Sequence, residues 1–244
     1  MPQAINQFSS RTEQLLGPEA MNILTQTRVI LFGVGGVGSW CAEALVRSGV
    51  RCLTLVDDDT VQPSNVNRQD MATAHTIGQP KTEAMRNRLL EINPDADIHT
   101  IATRYTPQTA EKFCLDDYDF VIDAIDSIPD KLHLIMQATH STAAFFSSMG
   151  AARRTDPTQV AVDDFWKIQG CPLARTLRQR IKAHISQPNF HGSLPHFRCV
   201  YSKQPPIDTN AQKSQLGSIV TITATFGLTL ASLVINSVTD KAKQ

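Results

Sequence analysis

Gly33, Gly35, Gly36 and Gly38 fall within six residues, Gly33-Val34-Gly35-Gly36-Val37-Gly38. A loop of this kind can bring backbone N–H groups against a phosphate, with no side chain in the way. Further along stand Asp57 and Asp59, then Ser64, Asn65, Asn67 and Arg68, then Lys81, then Asp126 and Ser127. A carboxylate at Asp57 can accept from ribose hydroxyls. Amide and hydroxyl groups with two cations can neutralise a phosphate chain, and a triphosphate needs more such charge than a dinucleotide's pyrophosphate. Asp126 can hold Mg²⁺ through oxygen. The glycines alone would serve NAD, FAD or ATP. Arg68, Lys81 and Asp126 together favour ATP.

These residues need elements to position them. Val29-Ile30-Leu31-Phe32 predicts a strand, and the run from Ser39 to Leu45 predicts a helix whose N-terminus faces the phosphate. Cys52 to Val56 predicts a second strand, ending in Asp57-Asp58-Asp59. Ile98, Thr100 and Ala102 alternate with polar residues as a third. Phe120-Val121-Ile122 predicts a fourth, with acids Asp123 and Asp126 at its carboxyl end. Ala143 to Phe146 and Gln159 to Val162 predict two more. Lys81 to Asn93 reads as a helix with apolar Ala84, Leu89 and Ile92, stopped by Asn93-Pro94.

Strands alternating with helices predict an α/β fold. It is a Rossmann-like, mainly parallel sheet covered by helices on both faces, with a C-terminal strand/loop extension. One domain over 1–244 then divides into a helical arm (1–27), an ATP-binding core (28–150) and the extension (151–244). The extension carries a basic helix over 172–184. Over 186–213 it carries an aperiodic, crossover-type loop with Pro188, Pro195, Pro205 and Pro206.

Lys plus Arg and Asp plus Glu both number 23, so a globally basic nucleic-acid surface is not indicated. A local patch is left open: Arg175, Arg178 and Lys182 share one face of the basic helix, and Leu173, Leu177 and Ile181 another. Such a face is ordinarily a solvated helix face, with contact to RNA phosphates as the alternative. The five cysteines form no CxxC, which speaks against a thiolate zinc site and for a reducing, cytoplasmic setting. No basic-then-apolar signal segment opens the chain. Cys199, in the aperiodic loop, reads as a small buried cysteine, with a nucleophile as the alternative. His184, His191 and His196 nearby fit no zinc spacing. Ser214 to Thr239 carries no charge. It predicts an element buried against the sheet or in a subunit interface, with a membrane-associated span as the alternative.

Five motifs in order resemble the adenylating domain of the ubiquitin-activating-enzyme-like superfamily. They are Gly33–Ser39, Asp57–Asp59, Ser64–Arg68, Gly78–Lys81 and Asp123–Asp126. Asn67-Arg68-Gln69, Val121 to Ser127, Asp156 to Gln159 and Thr221 to Gly227 resemble one branch, the tRNA threonylcarbamoyladenosine dehydratases. The resemblance implies ATP and Mg²⁺, a homodimer, and tRNA whose adenosine 37 bears a threonylcarbamoyl group. The threonyl carboxylate would be adenylated and the carbamoyl group would close a ring, releasing AMP. Position by position, it implies that Gly36 approaches the phosphates and Asp57 the ribose. Ser64, Asn65, Asn67 and Arg68 form the phosphate-binding stretch. Lys81 is the phosphate lysine, Asp126 the metal-linked acid, and Asp59 orders the site. Arg11 would reach the ATP of the partner subunit. A sulfur-transfer system of cysteine desulfurase and acceptor is a further implied partner.

Three alternatives stand beside it. An adenylyltransferase acting on the C-terminus of a ubiquitin-like sulfur carrier would usually bring two zinc-binding CxxC pairs, which this chain lacks. A nicotinamide oxidoreductase would need neither Lys81 nor Asp126, and a binding module without chemistry would not need the full cation set. Gly150-Ala151-Ala152-Arg153-Arg154 stands where the dehydratases are richer in glycine, and 202–215 is short. Both departures bear on the substrate side of the site.

Overall fold

The computed structural model of the chain describes residues 8–187, 192–207 and 217–243. Seven strands form one sheet: β1 (Arg28–Phe32), β2 (Cys52–Val56), β3 (Asp97–Ile101), β4 (Phe120–Asp123), β5 (Ala144–Ser148), β6 (Val160–Asp164) and β7 (Arg198–Ser202). Their spatial order is β3-β2-β1-β4-β5-β7-β6. Neighbours run parallel except the antiparallel pair of β6 and β7. Val29 to Phe32 and Phe120 to Ile122 are apolar and buried throughout, as strands covered on both faces must be. From β1 the chain order runs outward to β3 on one side and through β4 to β5 on the other. A crevice therefore opens at the carboxyl ends of β1 and β4.

Seven helices accompany the sheet among the described residues. They are α1 (Ser10–Leu16), α2 (Pro18–Gln26), α3 (Gly38–Ser48), α4 (Lys81–Ile92), α5 (Ile128–Ala138), α6 (Pro172–Ile185) and α7 (Val220–Ala242). Two apolar cores result. One gathers Leu45, Leu55, Leu89, Phe226 and Val234; the other gathers Phe32, Tyr105, Leu134, Phe165 and Leu177.

The uncharged C-terminal stretch is helix α7, with residues 214–216 outside the described set. By length and composition alone it could cross a membrane. Instead Ile222, Phe226, Leu230, Val234 and Val238 recur every fourth residue and all are buried in the core. Burying each such side chain contributes about 1.5–3 kcal/mol. Gly227 sits where α7 presses on the first turn of α3. A Cβ there would run into the Val37 carbonyl oxygen, and would lie 2.8 Å from both the Cys41 nitrogen and the Trp40 Cβ.

One expectation is corrected. The stretch 186–213 is not an aperiodic loop throughout, because Arg198–Ser202 is β7, inserted between β5 and β6. Cys199 to Ser202 are all buried there. Five residues flanked by prolines carry too little periodicity to announce a strand. Residues before and after position 150 consequently share one continuous sheet. Within the same stretch, residues 188–191, including Pro188 and His191, and residues 208–213 lie outside the described set. Smaller shifts affect the third strand, which ends at Ile101, and the next two, which are Ala144–Ser148 and Val160–Asp164.

Candidate active site

The loop after β1 is set by its glycines. Gly33 adopts φ +89°, and a Cβ on it would stand 2.7 Å from the Ala124 carbonyl oxygen on the neighbouring β4 loop. A Cβ on Gly38 would strike the Gly33 carbonyl, so α3 can start only where it does without one. Gly35 is open: the nearest atom to a Cβ there is Gln69 Nε2, at 3.9 Å. At Gly36 a Cβ would meet Thr223 Cγ2 at 3.2 Å and Arg68 Cγ at 3.3 Å. The bare backbone of Gly36 thus serves packing against α7, while Gly35 presents bare backbone to open space. The structural demand at Gly36 was not visible in the loop pattern.

Asp57 follows β2 and locks this loop. Its Oδ2 accepts from the Val34 N–H at 2.7 Å and its Oδ1 from the Asp59 N–H at 2.9 Å. Burial pushes the Asp57 carboxyl up, and the Lys81 charge with the two N–H groups draws it back. Lys81 opens α4 and is 6% exposed, far from the solvated lysine that is the ordinary case. Its Nζ donates to Asp59 Oδ2 at 2.6 Å and lies 4.0 Å from Asp57 Oδ1. Asp59 thereby orients the lysine.

The stretch from Ser64 to Asp70 is latched to α3. Trp40 Nε1 donates to the Arg68 carbonyl at 3.0 Å, and the Asp70 N–H donates to Ser39 Oγ. Asn65 is buried and closes a capping box with Gln62. Arg68 Nη1 donates to the Ser64 carbonyl at 2.8 Å and to Asn67 Oδ1 at 2.9 Å. Its Nε and Nη2 have no partner among the described residues. Asn67 Nδ2 in turn donates to the Ser218 carbonyl, just before α7.

The turn after β4 is held from below by a fully buried pair. Lys131 Nζ lies 2.7 Å from Asp123 Oδ2 and donates to the Ile125 carbonyl at 3.0 Å. Asp123 also accepts from Ser147 Oγ and from the Ile125 N–H. This network carries exposed Asp126 into the crevice. Beside it, Arg104 Nη2 donates to Asp130 Oδ2 at 2.6 Å and to Ser127 Oγ at 3.2 Å.

One cavity of about 740 Å³ joins these parts at the carboxyl ends of the strands. Gly33, Gly35, Gly36, Asp57, Asp59, Asn65, Arg68, Lys81, Asp126 and Ser127 all line it. Gly38, Ser64 and Asn67 do not, the last two acting on Arg68 from outside. The far end is walled by Met149 to Ala152 from the β5 end, and by Leu173 and Thr176 from α6. Arg104, Tyr105 and Asp130 also line the cavity and went unnoticed in the sequence, and Asp58, quoted there only as the middle of its motif, lines it too. Arg104 and Tyr105, just past a strand, carry no local motif; only the sheet register puts the β3 end beside β2. The carboxylates of Asp57, Asp58 and Asp59 lie within 4.8 Å of one another and are the kind of oxygen donors a hard cation takes; Asp126, the expected metal-linked acid, lines the same cavity but stands outside that group.

The other expected residues fall elsewhere. Arg11 is exposed on α1, away from the cavity of its own chain. Arg175 and Lys182 are exposed on α6, with Lys182 Nζ 5.9 Å from the Trp166 ring. Arg178 is turned onto its own fold: Nη1 donates to the Phe165 carbonyl at 2.8 Å and the guanidinium lies over the Phe165 ring. Cys199 is buried in β7 with its Sγ towards the Asp163 carbonyl, and burial pushes the thiol up. An un-ionised, enclosed thiol is no nucleophile. His196 lies 3.8 Å from Asp164, and His191 is outside the described residues.

Comparison with known proteins fits this arrangement. The ThiF family pattern matches residues 9–244, and the chain belongs to that family. It is 42% identical to the tRNA threonylcarbamoyladenosine dehydratase of Bacillus subtilis, over 83% of this chain and 77% of that one. It is 34% identical to the dehydratase of Escherichia coli K12, over 95% and 93% of the two chains. The crystal structure of E. coli tRNA N6-threonylcarbamoyladenosine dehydratase in complex with ATP superimposes with a TM-score of 0.90 at 32% identity, covering 98% of this chain and 97% of that one. A sulfur carrier protein adenylyltransferase of Thermus thermophilus is 26% identical over 89% of this chain and 71% of its own.

Proposed function

We infer that this protein is an ATP-dependent tRNA threonylcarbamoyladenosine dehydratase, closing the threonylcarbamoyl side chain into a ring by way of an acyl adenylate. The observation that carries this is the cavity at the carboxyl ends of the strands. It gathers the glycine loop, Asp57, Arg68, Lys81 and Asp126 at the switch point, in a chain that superimposes on an ATP-bound dehydratase along nearly its whole length.

A carboxylate is a poor electrophile, and joining AMP to it supplies a leaving group. One carboxylate oxygen attacks the α-phosphorus, the bond to the bridging oxygen breaks, and pyrophosphate leaves. The carbamoyl group then attacks the acyl carbon, AMP departs and a proton is lost; the nucleoside has lost one water. In this reading Asp57 takes the ribose, and Gly35 and Gly36 pass their backbone along the phosphates. Lys81 and the free edge of Arg68 balance the charge that develops as pyrophosphate leaves. Asp126 and Asp58 would hold Mg²⁺, which when bound supplies further charge neutralisation.

The same reading takes the enzyme as a cytoplasmic homodimer. Phe8 and Leu15 near and on α1 and Leu228 on α7 are large apolar side chains left exposed, as a subunit interface would use. Arg11 on that same arm would then serve the neighbouring subunit's nucleotide. Arg175 and Lys182 are the cations of α6 turned outward for RNA.

The test is incubation with ATP, Mg²⁺ and tRNA bearing threonylcarbamoyladenosine. A nucleoside lighter by one water, with AMP formed, supports the reading. ATP–pyrophosphate exchange stimulated only by a sulfur-carrier protein would overturn it.

A further inference from the structure

Among the described residues Arg153 is the one non-glycine with a positive φ, at +59°. That left-handed backbone suits glycine, and a residue with a side chain holds it only where the surrounding structure over-determines it. Three hydrogen bonds do so here. The Arg153 N–H donates to the Gly217 carbonyl at 2.8 Å, and the Arg153 carbonyl accepts from the Ile207 N–H at 2.8 Å. Arg153 Nε donates to the Ile207 carbonyl at 2.7 Å. Arg153 thus clasps two stretches to the turn after β5: the one leaving β7 and the one entering α7.

Both sides of the clasp border the cavity. Ala151 and Ala152, just before Arg153, line it, and so does Ser218, just after Gly217. Ser218 carries the link onward. Its carbonyl accepts from Asn67 Nδ2 at 2.9 Å, while Asn67 Oδ1 accepts from Arg68 Nη1 at 2.9 Å. A carbonyl can only accept, so Ser218 fixes which way the Asn67 amide points, nitrogen towards Ser218 and oxygen towards the guanidinium. With Ser218 displaced, the amide is free to turn its NH₂ to the cation, and Arg68 Nη1 keeps the Ser64 carbonyl alone. Arg153 itself does not line the cavity, so any effect it has on the site passes along this chain of bonds.

We propose that Arg153 is a positioning residue for the phosphates of ATP: through Gly217, Ser218 and Asn67 it holds the Arg68 guanidinium in place. The proposal rests on the assignment of Arg68 to the departing pyrophosphate in the reading above.

The experiment titrates wild type and variants with two ligands, a non-hydrolysable ATP analogue and AMP, which lacks the phosphates that leave. Arg153→Gly suits the left-handed backbone but loses the Nε bond. It should weaken the ATP analogue about 3- to 10-fold, on the scale of one hydrogen bond, and leave AMP unchanged. Its melting temperature should stay near that of the wild type, because relief of the strained backbone offsets the lost bond. Arg153→Asn, which also tolerates that backbone, should show the same split. In an Asn67→Ala background, where the link to Arg68 is already cut, Arg153→Gly should cost no further affinity.

Equal weakening of the ATP analogue and AMP would mark a merely structural arginine and overturn the proposal. So would a loss that adds in full to that of Asn67→Ala, or an Arg153→Gly protein that binds the ATP analogue as tightly as the wild type. Arg68→Ala, titrated alongside, should weaken the ATP analogue and spare AMP; without that split the assignment of Arg68 falls, and the proposal with it. None of these titrations contains tRNA, so dehydration by the wild-type enzyme, followed by nucleoside mass, is tested independently.

Discussion

Lys131→Met removes the cation from the network that supports the β4 turn. Asp123 would be left fully enclosed, with only the Ser147 hydroxyl and the Ile125 N–H as partners, and the Ile125 carbonyl would lose its donor. Breaking one side of a buried pair costs about 3–5 kcal/mol, because the remaining charge cannot be hydrated. For a chain of this length that is a fall in melting temperature of about 6–20 °C. The double variant Asp123→Leu/Lys131→Met leaves no orphan charge and should regain most of the loss. Urea and thermal unfolding of the wild type and both variants measure this. ATP titration adds the functional arm: both variants free the Ala124–Ile125 turn, so both should bind ATP more weakly, whatever their stability. A single variant within about 1 kcal/mol of wild type, or a double variant worse than the single, would refute the argument that charge burial governs this site.

Three further outcomes follow from the same geometry. Gly227→Ala places a methyl group against the Val37 carbonyl and the Trp40 Cβ, and should cost about 1–3 kcal/mol in unfolding experiments while also weakening ATP binding through the displaced glycine loop. Arg68→Ala should lower kcat about 100-fold or more at nearly unchanged melting temperature, because Arg68 lines the cavity and its Nε and Nη2 have no partner among the described residues; steady-state kinetics and a thermal scan check both halves. The third concerns Asp70, which burial, together with the hydrogen bond and charge of Glu43, raises from its ordinary value near 3.8 to about 7, with Arg88 opposing. Such a carboxyl binds its proton more tightly folded than unfolded, so its contribution falls as pH climbs from about 4 to about 7 and is flat above that. Asp70→Asn should remove that slope, of order 1–3 kcal/mol, in denaturation curves taken across the window. Glu43 is held low by Asp70, Arg47 and Arg88, against burial; it acts with the opposite sign, below pH 4.5. An unchanged slope in Asp70→Asn would place the proton elsewhere.

What could be read in the sequence follows from how each residue is held. Gly33, Gly35, Asp57, Arg68 and Lys81 sit in short motifs whose chain neighbours carry the same chemistry, and the strand–loop–helix order already places them at one sheet edge. The uncharged C-terminal stretch could be recognised as buried because composition reports burial, yet its helical form depends on Gly227 meeting α3, which no local pattern states. β7 escaped because its five residues are defined by their neighbours, Ala161 and Val162 on one side and Ser147 and Ser148 on the other.

The contacts missed in the site share one property. Arg104, just after β3, finds Asp130 in α5 across 26 positions, and Asp123 at the end of β4 finds Ser147 in β5 across 24. Such pairs exist only once the register is set, so nothing in the sequence around either partner calls for the other. The division is physical. Groups suited to touch the nucleotide come in contiguous runs, because one phosphate chain spans only a few residues of backbone. Groups that aim them come from wherever the sheet brings a strand end alongside. Arg154 shows the same limit: beside Arg153 in the sequence nothing marks it, and only the fold distinguishes it, by burying its guanidinium with no carboxylate paired to it among the described residues.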